Sequence, residues 1–172
     1  MLTDTYSLPS VATATGATQT TIKSWLHKGV VVGANSIIGG GQRGKPRHFT
    51  LNSVIEIGVA KCILDNGPSD LASAFHAAHI FAHTGDGRNS AMPFNDAGTL
   101  LFVAGQRAHV LNYQPKQDYD NIVRTALGRP EAFIRIDMLQ VFDRIVSGLG
   151  LEPRDVIAAS YESLVATCKV ES

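Results

Sequence analysis

Cysteine is scarce in this chain. Cys62 and Cys168 are the only two among 172 residues, and they stand far apart at no ligand or redox spacing. That excludes a cysteine metal cage or a thiol-redox motif and fits a reduced interior. No apolar run approaches the roughly 20 residues that a membrane-spanning helix needs. The N-terminus also lacks the basic start and apolar stretch of a signal peptide. A soluble, cytoplasmic protein with no membrane partner is therefore expected. A phosphate loop is missing as well: Gly85-Asp86-Gly87-Arg88 has no Lys-Ser/Thr at a helix start. No Ser/His/Asp or Cys/His set is arranged for nucleophilic catalysis. Asp137, Asp143 and Asp155 are scattered over helical segments, where caps or solvated positions are the plain expectation. There is no internal repeat and no low-complexity segment. These absences give no reason to expect an enzyme, a catalytic residue or a cofactor.

Net charge is missing too, with fifteen Lys+Arg against fifteen Asp+Glu, but the zero hides an asymmetry. Residues 1–67 carry six basic and three acidic side chains; the remainder carries nine basic and twelve acidic. From Thr20 to Phe49 there are three lysines, two arginines and no acid. A basic head on a mildly acidic body fits a nucleic-acid module joined to a sensing or partner-binding part.

Within the head, Leu8, Val11 and Ala12 recur at helical spacing, with Ser7 as N-cap and Pro9 in the first turn. Gly16 supplies a tight turn. Thr18 caps a second helix to Lys28, stopped by Gly29, with Ile22, Trp25 and Leu26 on its inner face. Trp25 is expected in the core. The other face shows Gln19, Thr20, Lys23, Ser24 and His27, flanked by Thr18 and Lys28. These short or hydrogen-bonding side chains suit the major groove: Gln19 can pair bidentately with adenine, and Lys23 can reach guanine or phosphate. The apolar runs Val30–Val32 and Ile37–Ile38 are expected to form or flank short strands. Between them and Phe49 lies a glycine-rich basic tip, where Arg43, Lys45, Arg47 and His48 would meet the sugar-phosphate backbone. Phe49 should fold this tip back onto the core. A third helix is expected from Leu51 to Asn66, with Val54, Ile57, Ile63 and Leu64 inward and Gly67-Pro68 ending it.

Taken in order, Thr21-Ile22-Lys23-Ser24-Trp25, the Gly29 stop, Arg43 to Phe49 and Val54 onward resemble the MerR-like winged helix-turn-helix. The resemblance covers about residues 6–67. It implies double-stranded DNA as partner, binding as a homodimer, the second helix in the major groove and the wing on the flanking backbone. The same kind of head occurs in phage excisionases and small terminase subunits. Beyond Gly67 the family pattern stops: the next helix can run only about fifteen residues before Gly85, too short for the long coiled-coil dimer helix of that family. The family's ligand-binding cysteines have no equivalent.

The remainder is read as a small α+β unit, residues 68–172, after a DNA-binding unit of residues 1–67. It comprises a helix from Ser69 to His83, a loop from Thr84 to Gly98 and a β-hairpin from Thr99–Ala104 and Ala108–Tyr113. A short helix at Asp120–Leu127 and a strand at Phe133–Ile136 follow. A helix with Leu139, Phe142, Ile145, Val146 and Leu149 inward comes next, then a last helix from Pro153. His76, His79 and His83 fall at i, i+3 and i+7, within about 60° on one helical face. They are weak candidates for a metal or proton-sensing site, against the plainer reading of a polar shoulder or dimer contact. The fold class expected is α+β. The function expected is sequence-specific transcriptional regulation, with a phage-type architectural protein and a protein-interaction module as rivals. The C-terminal part would hold the dimer together and offer a small-molecule or protein effector a surface between the hairpin and the helix at 139–149.

Overall fold

The computed structural model describes residues 4–39, 46–67, 69–84, 89–95, 98–114, 116 and 118–170. Among them the chain is a mixed α+β structure with seven α-helices, one short 3-10 helix and two small antiparallel sheets. It begins with β1 (Tyr6–Ser7), α1 (Leu8–Thr15) and α2 (Gln19–His27), then the 3-10 helix (Val32–Ser36). Next come β2 (His48–Phe49), α3 (Leu51–Asn66) and α4 (Leu71–His83). The rest is β3 (Gly98–Ala104), β4 (Arg107–Tyr113), α5 (Tyr119–Ala126), β5 (Ile134–Asp137), α6 (Met138–Gly148) and α7 (Pro153–Val170).

Local chemistry explains the helix starts. Ser7 accepts from the Ser10 amide at 3.3 Å and Thr18 from the Thr21 amide at 3.1 Å, each satisfying one orphan donor of its helix. Asp70 caps α4 the same way, accepting from the Ser73 amide at 2.9 Å. Gly16, at φ +71°, ends α1 in the left-handed region and donates back to the Ala12 carbonyl.

Two sequence expectations need correcting. The run Val30–Val32 does not become a strand. Val31 is buried, Val32 is exposed, and the chain enters the 3-10 helix, because the amides of Val32 and Gly33 turn toward a side chain instead of a neighbouring strand. Ile38 does pair, in a single antiparallel bridge with His48. In α6, Leu139 is 41% exposed, and Met138 and Val141 are buried in its place. Asp137 caps α6 and starts it one residue after the strand, which rotates Met138 inward and Leu139 outward.

The three-stranded sheet has the order β4-β3-β5, all antiparallel, with β3 central. Its side chains alternate between faces. Leu101, Val103 and Ile136 join the large core with α3, α4 and α6, while Leu100, Phe102 and Leu111 form a smaller one with Val123 and Leu127. Burial from both sides explains why β3 reads as a continuous apolar run.

The large core runs through Gly67 without a break. Val11 and Trp25 belong to it along with Phe75, Phe142 and Val156. Helix α3 is its axis, buried at every position from Ser53 to Ala60. No helix among the described residues is long and apolar enough to cross a membrane.

Candidate nucleic-acid interface

Helix α2 is anchored by its apolar side. Ile22 and Trp25 are buried and Leu26 half-buried. The Trp25 ring meets Phe75 of α4 edge-on, centroids 5.2 Å apart and planes at 75°. That contact fixes the rotation of α2 and turns Gln19, Thr20, Lys23, Ser24, His27 and Lys28 to solvent. Thr18 is exposed too, but its hydroxyl serves the cap, lying 2.8 Å from the Thr21 hydroxyl as well as holding the Thr21 amide. The exposed set therefore runs the length of α2, with no acid in the first turn.

The basic tip is closed at its neck. The backbones of Ile38 and His48 exchange two hydrogen bonds, of 2.9 and 2.8 Å, and β2 pairs on its other side with β1. Phe49 is fully buried below this small sheet. Arg43 and Lys45 lie outside the described residues. Arg47 and His48 are half-buried. The His48 backbone holds the neck, so its contribution to a surface is smaller than its position in the sequence suggests.

The residue that sets the neck in place is one that sequence reasoning passed over. Glu56 of α3 is fully buried, and its carboxylate accepts from the Val32 amide at 2.7 Å and the Gly33 amide at 2.8 Å. His83, at the end of α4, donates through Nε2 to the same carboxylate at 2.9 Å. Ser53 adds a hydroxyl bond to the Gly33 carbonyl at 3.2 Å. Gly33 is required by this crowding: a Cβ there would stand 2.8 Å from both Glu56 Oε2 and His83 Nε2. Thus α3 and α4 together hold the segment that leads from α2 to the basic tip. The signal in the sequence was a lone acid inside the apolar run Val54-Ile55-Glu56-Ile57-Gly58-Val59-Ala60. A buried charge of that kind survives only with several hydrogen-bond partners.

The three histidines do not converge on a metal. Among the described residues no group of three His, Cys, Asp or Glu side chains is placed to hold one. His83 is committed to Glu56, and the His79 ring stacks on it at 5.1 Å. Burial holds the His79 pKa below its ordinary value, and the neighbouring His83 pushes the same way. His76 faces solvent.

Searches against protein-family models and against curated proteins find no match for this chain.

Proposed function

We propose that this chain is a sequence-specific DNA-binding protein of the winged helix-turn-helix type. Helix α2 enters the major groove and the basic tip lies on the flanking backbone as a wing. The observation that carries this reading is the exposed, acid-free face of α2 beside a closed basic loop. Gln19 and Lys23 are the candidate base readers. Arg43, Lys45 and Arg47 are the candidate phosphate contacts. One head makes few contacts, so the working unit is a homodimer whose half-sites lie about 10 base pairs, or a multiple, apart. Regulation of transcription is the use this favours, with the C-terminal part as the dimer contact and effector surface. A phage architectural role uses the same head, and an integrase or terminase gene beside this one would mark it.

One observation favours a rival from another class. Val32 and Ile38, at the neck, are exposed by 51% and 62%, an apolar pair that a protein partner could cover. Selection of binders from a randomised duplex pool, followed by gel shifts on the full chain, separates the two. A dimer neutralising about 6–8 phosphates gives a log–log salt slope of about −5 to −7. Arg43→Ala should weaken all sequences alike, whereas Gln19→Ala should relax choice at one base position per half-site. If no duplex is enriched and neither variant alters binding, the head is a protein-docking module.

A further inference from the structure

The three-stranded sheet ends in two edges that are finished differently. Edge β5 is four residues long and turns Arg135 and Asp137 to solvent, a short and charged rim of the kind that discourages further strands. Edge β4 has none of these guards. It runs for seven residues, and its pairing with β3 is unbroken from Arg107 to Tyr113, without a bulge. It holds no Pro and no Lys. Its one permanent charge, Arg107 at the end, donates to the Leu127 carbonyl at 2.9 Å.

The hairpin turn determines which backbone groups of β4 are left over. Gly105, at φ +55°, and Gln106 form a two-residue turn between the paired Ala104 and Arg107, which makes that pair a hydrogen-bonded one. Antiparallel pairs alternate, so Arg107, His109, Leu111 and Tyr113 direct their N–H and C=O groups at β3. Those of Ala108, Val110 and Asn112 point away from the sheet. Among the described residues nothing pairs with them, and all three residues are only half-buried. On the same rim the side-chain oxygen of Asn112 is buried with no hydrogen-bond partner among the described residues.

We propose that β4 is the contact of a homodimer, pairing antiparallel with β4 of a second copy about a two-fold axis at Val110. Ala108, Val110 and Asn112 are spaced symmetrically about that axis. Every outward donor of one copy therefore meets an acceptor of the other, about six hydrogen bonds in all. Arg107 comes opposite Tyr113 of the second copy and His109 opposite Leu111, so no charge faces its like. A guanidinium beside an aromatic ring is a favourable pair. This self-match is what singles out a second copy over a foreign strand, and it joins the two three-stranded sheets into one. The inference deepens the reading above and rests on it for the homodimer. Its test contains no DNA, so failure of this contact and failure of DNA binding are told apart.

Sedimentation of the full chain over a dilution series should show a dimer that dissociates. Amide hydrogen exchange followed by NMR should find the Ala108, Val110 and Asn112 amides protected in that dimer and exchanging faster on dilution. The His109 and Leu111 amides, bonded to β3, serve as references that stay protected. Val110→Pro deletes the central outward N–H without removing a bond to β3, and should weaken the dimer about tenfold or more. If that variant does not fold, the exchange measurement on the parent chain decides alone. A chain that stays monomeric up to about 100 μM overturns the proposal. So does a dimer whose three outward amides exchange freely, or a folded Val110→Pro chain that dimerises as tightly as the parent; either would leave the homodimer standing on another contact.

Discussion

Glu56 is fully buried, and its carboxylate is held by the Val32 and Gly33 amides and by His83. Glu56→Gln keeps the shape but turns one acceptor into an N–H donor facing another donor. The cost expected is about 1–3 kcal/mol, read as a lower denaturant midpoint with an unchanged slope. Gly33→Ala attacks the same junction from the other side, and since both groups it would meet are tied to each other, they cannot swing away freely. A midpoint unaltered in both variants would show that the carboxylate does not hold the neck. His79 supplies a pH dependence. Its folded pKa lies below the unfolded value of 6.5, so protons bind the unfolded chain more readily. Stability is then full above about pH 6.5 and declines as pH falls toward the lower folded value. His83 and His76 add to that depression and Glu56 opposes it. Melting as a function of pH should show this decline, and His79→Gln should flatten it. Little of this was read from the sequence. Glu56 was counted only as one of three acids in the head, because charge counting registers sign and ignores burial; its place inside an apolar run was the signal that went unused. The three histidines were placed on one face by helical spacing, yet spacing cannot reveal that a partner on another helix has claimed one of them.

At the scale of elements the sequence was far more legible, and the reasons are local. The bounds of α1 and α3 and the caps Ser7 and Thr18 follow from side chains within three or four residues of the helix ends. The hairpin of β3 and β4 follows from two β-favouring runs around Gly105. What local pattern could not show is how helices far apart in the chain approach each other. Helix α6 comes so close to α1 that a Cβ on Gly148 would stand 2.7 Å from the Ala14 Cα. Gly58 of α3 leaves room for Ile145 of α6 in the same way. These two contacts differ in how far the obstructing group can give way. Helix propensity alone says that Gly148→Ala stabilises, by up to about 1 kcal/mol. The obstruction at Gly148 is backbone, which cannot swing aside, so overpacking of about 1–3 kcal/mol should win and the melting temperature should fall. At Gly58 the obstruction is the end of a flexible side chain, so Gly58→Ala should cost less than Gly148→Ala. A rise in melting temperature for Gly148→Ala would mean that α1 and α6 are not packed this closely.

At the scale of the whole molecule the open matter is whether the head, residues 1–67, is an independent unit, as its charge and motif content suggest. Composition changes at Gly67, but packing does not: Trp25 rests on Phe75, and α1 rests on α6. The chain has a single tryptophan, and it sits in the head at the contact with α4, so its fluorescence reports the head while far-UV circular dichroism reports all helices. Phe142 of α6 lies in the same core as Trp25 but beyond residue 67. Phe142→Ala should remove about 3–5 kcal/mol. If the core unfolds as one cooperative body, the Trp25 transition and the circular-dichroism transition coincide in the parent and shift by the same amount in the variant. A Trp25 transition that stays in place while the dichroism shifts would make residues 1–67 a separate folding unit. The first outcome carries a functional consequence. A head that shares its core with α4 and α6 has the exposed face of α2 set by the C-terminal part, so any ligand or partner that moves α6 has a direct mechanical route to α2.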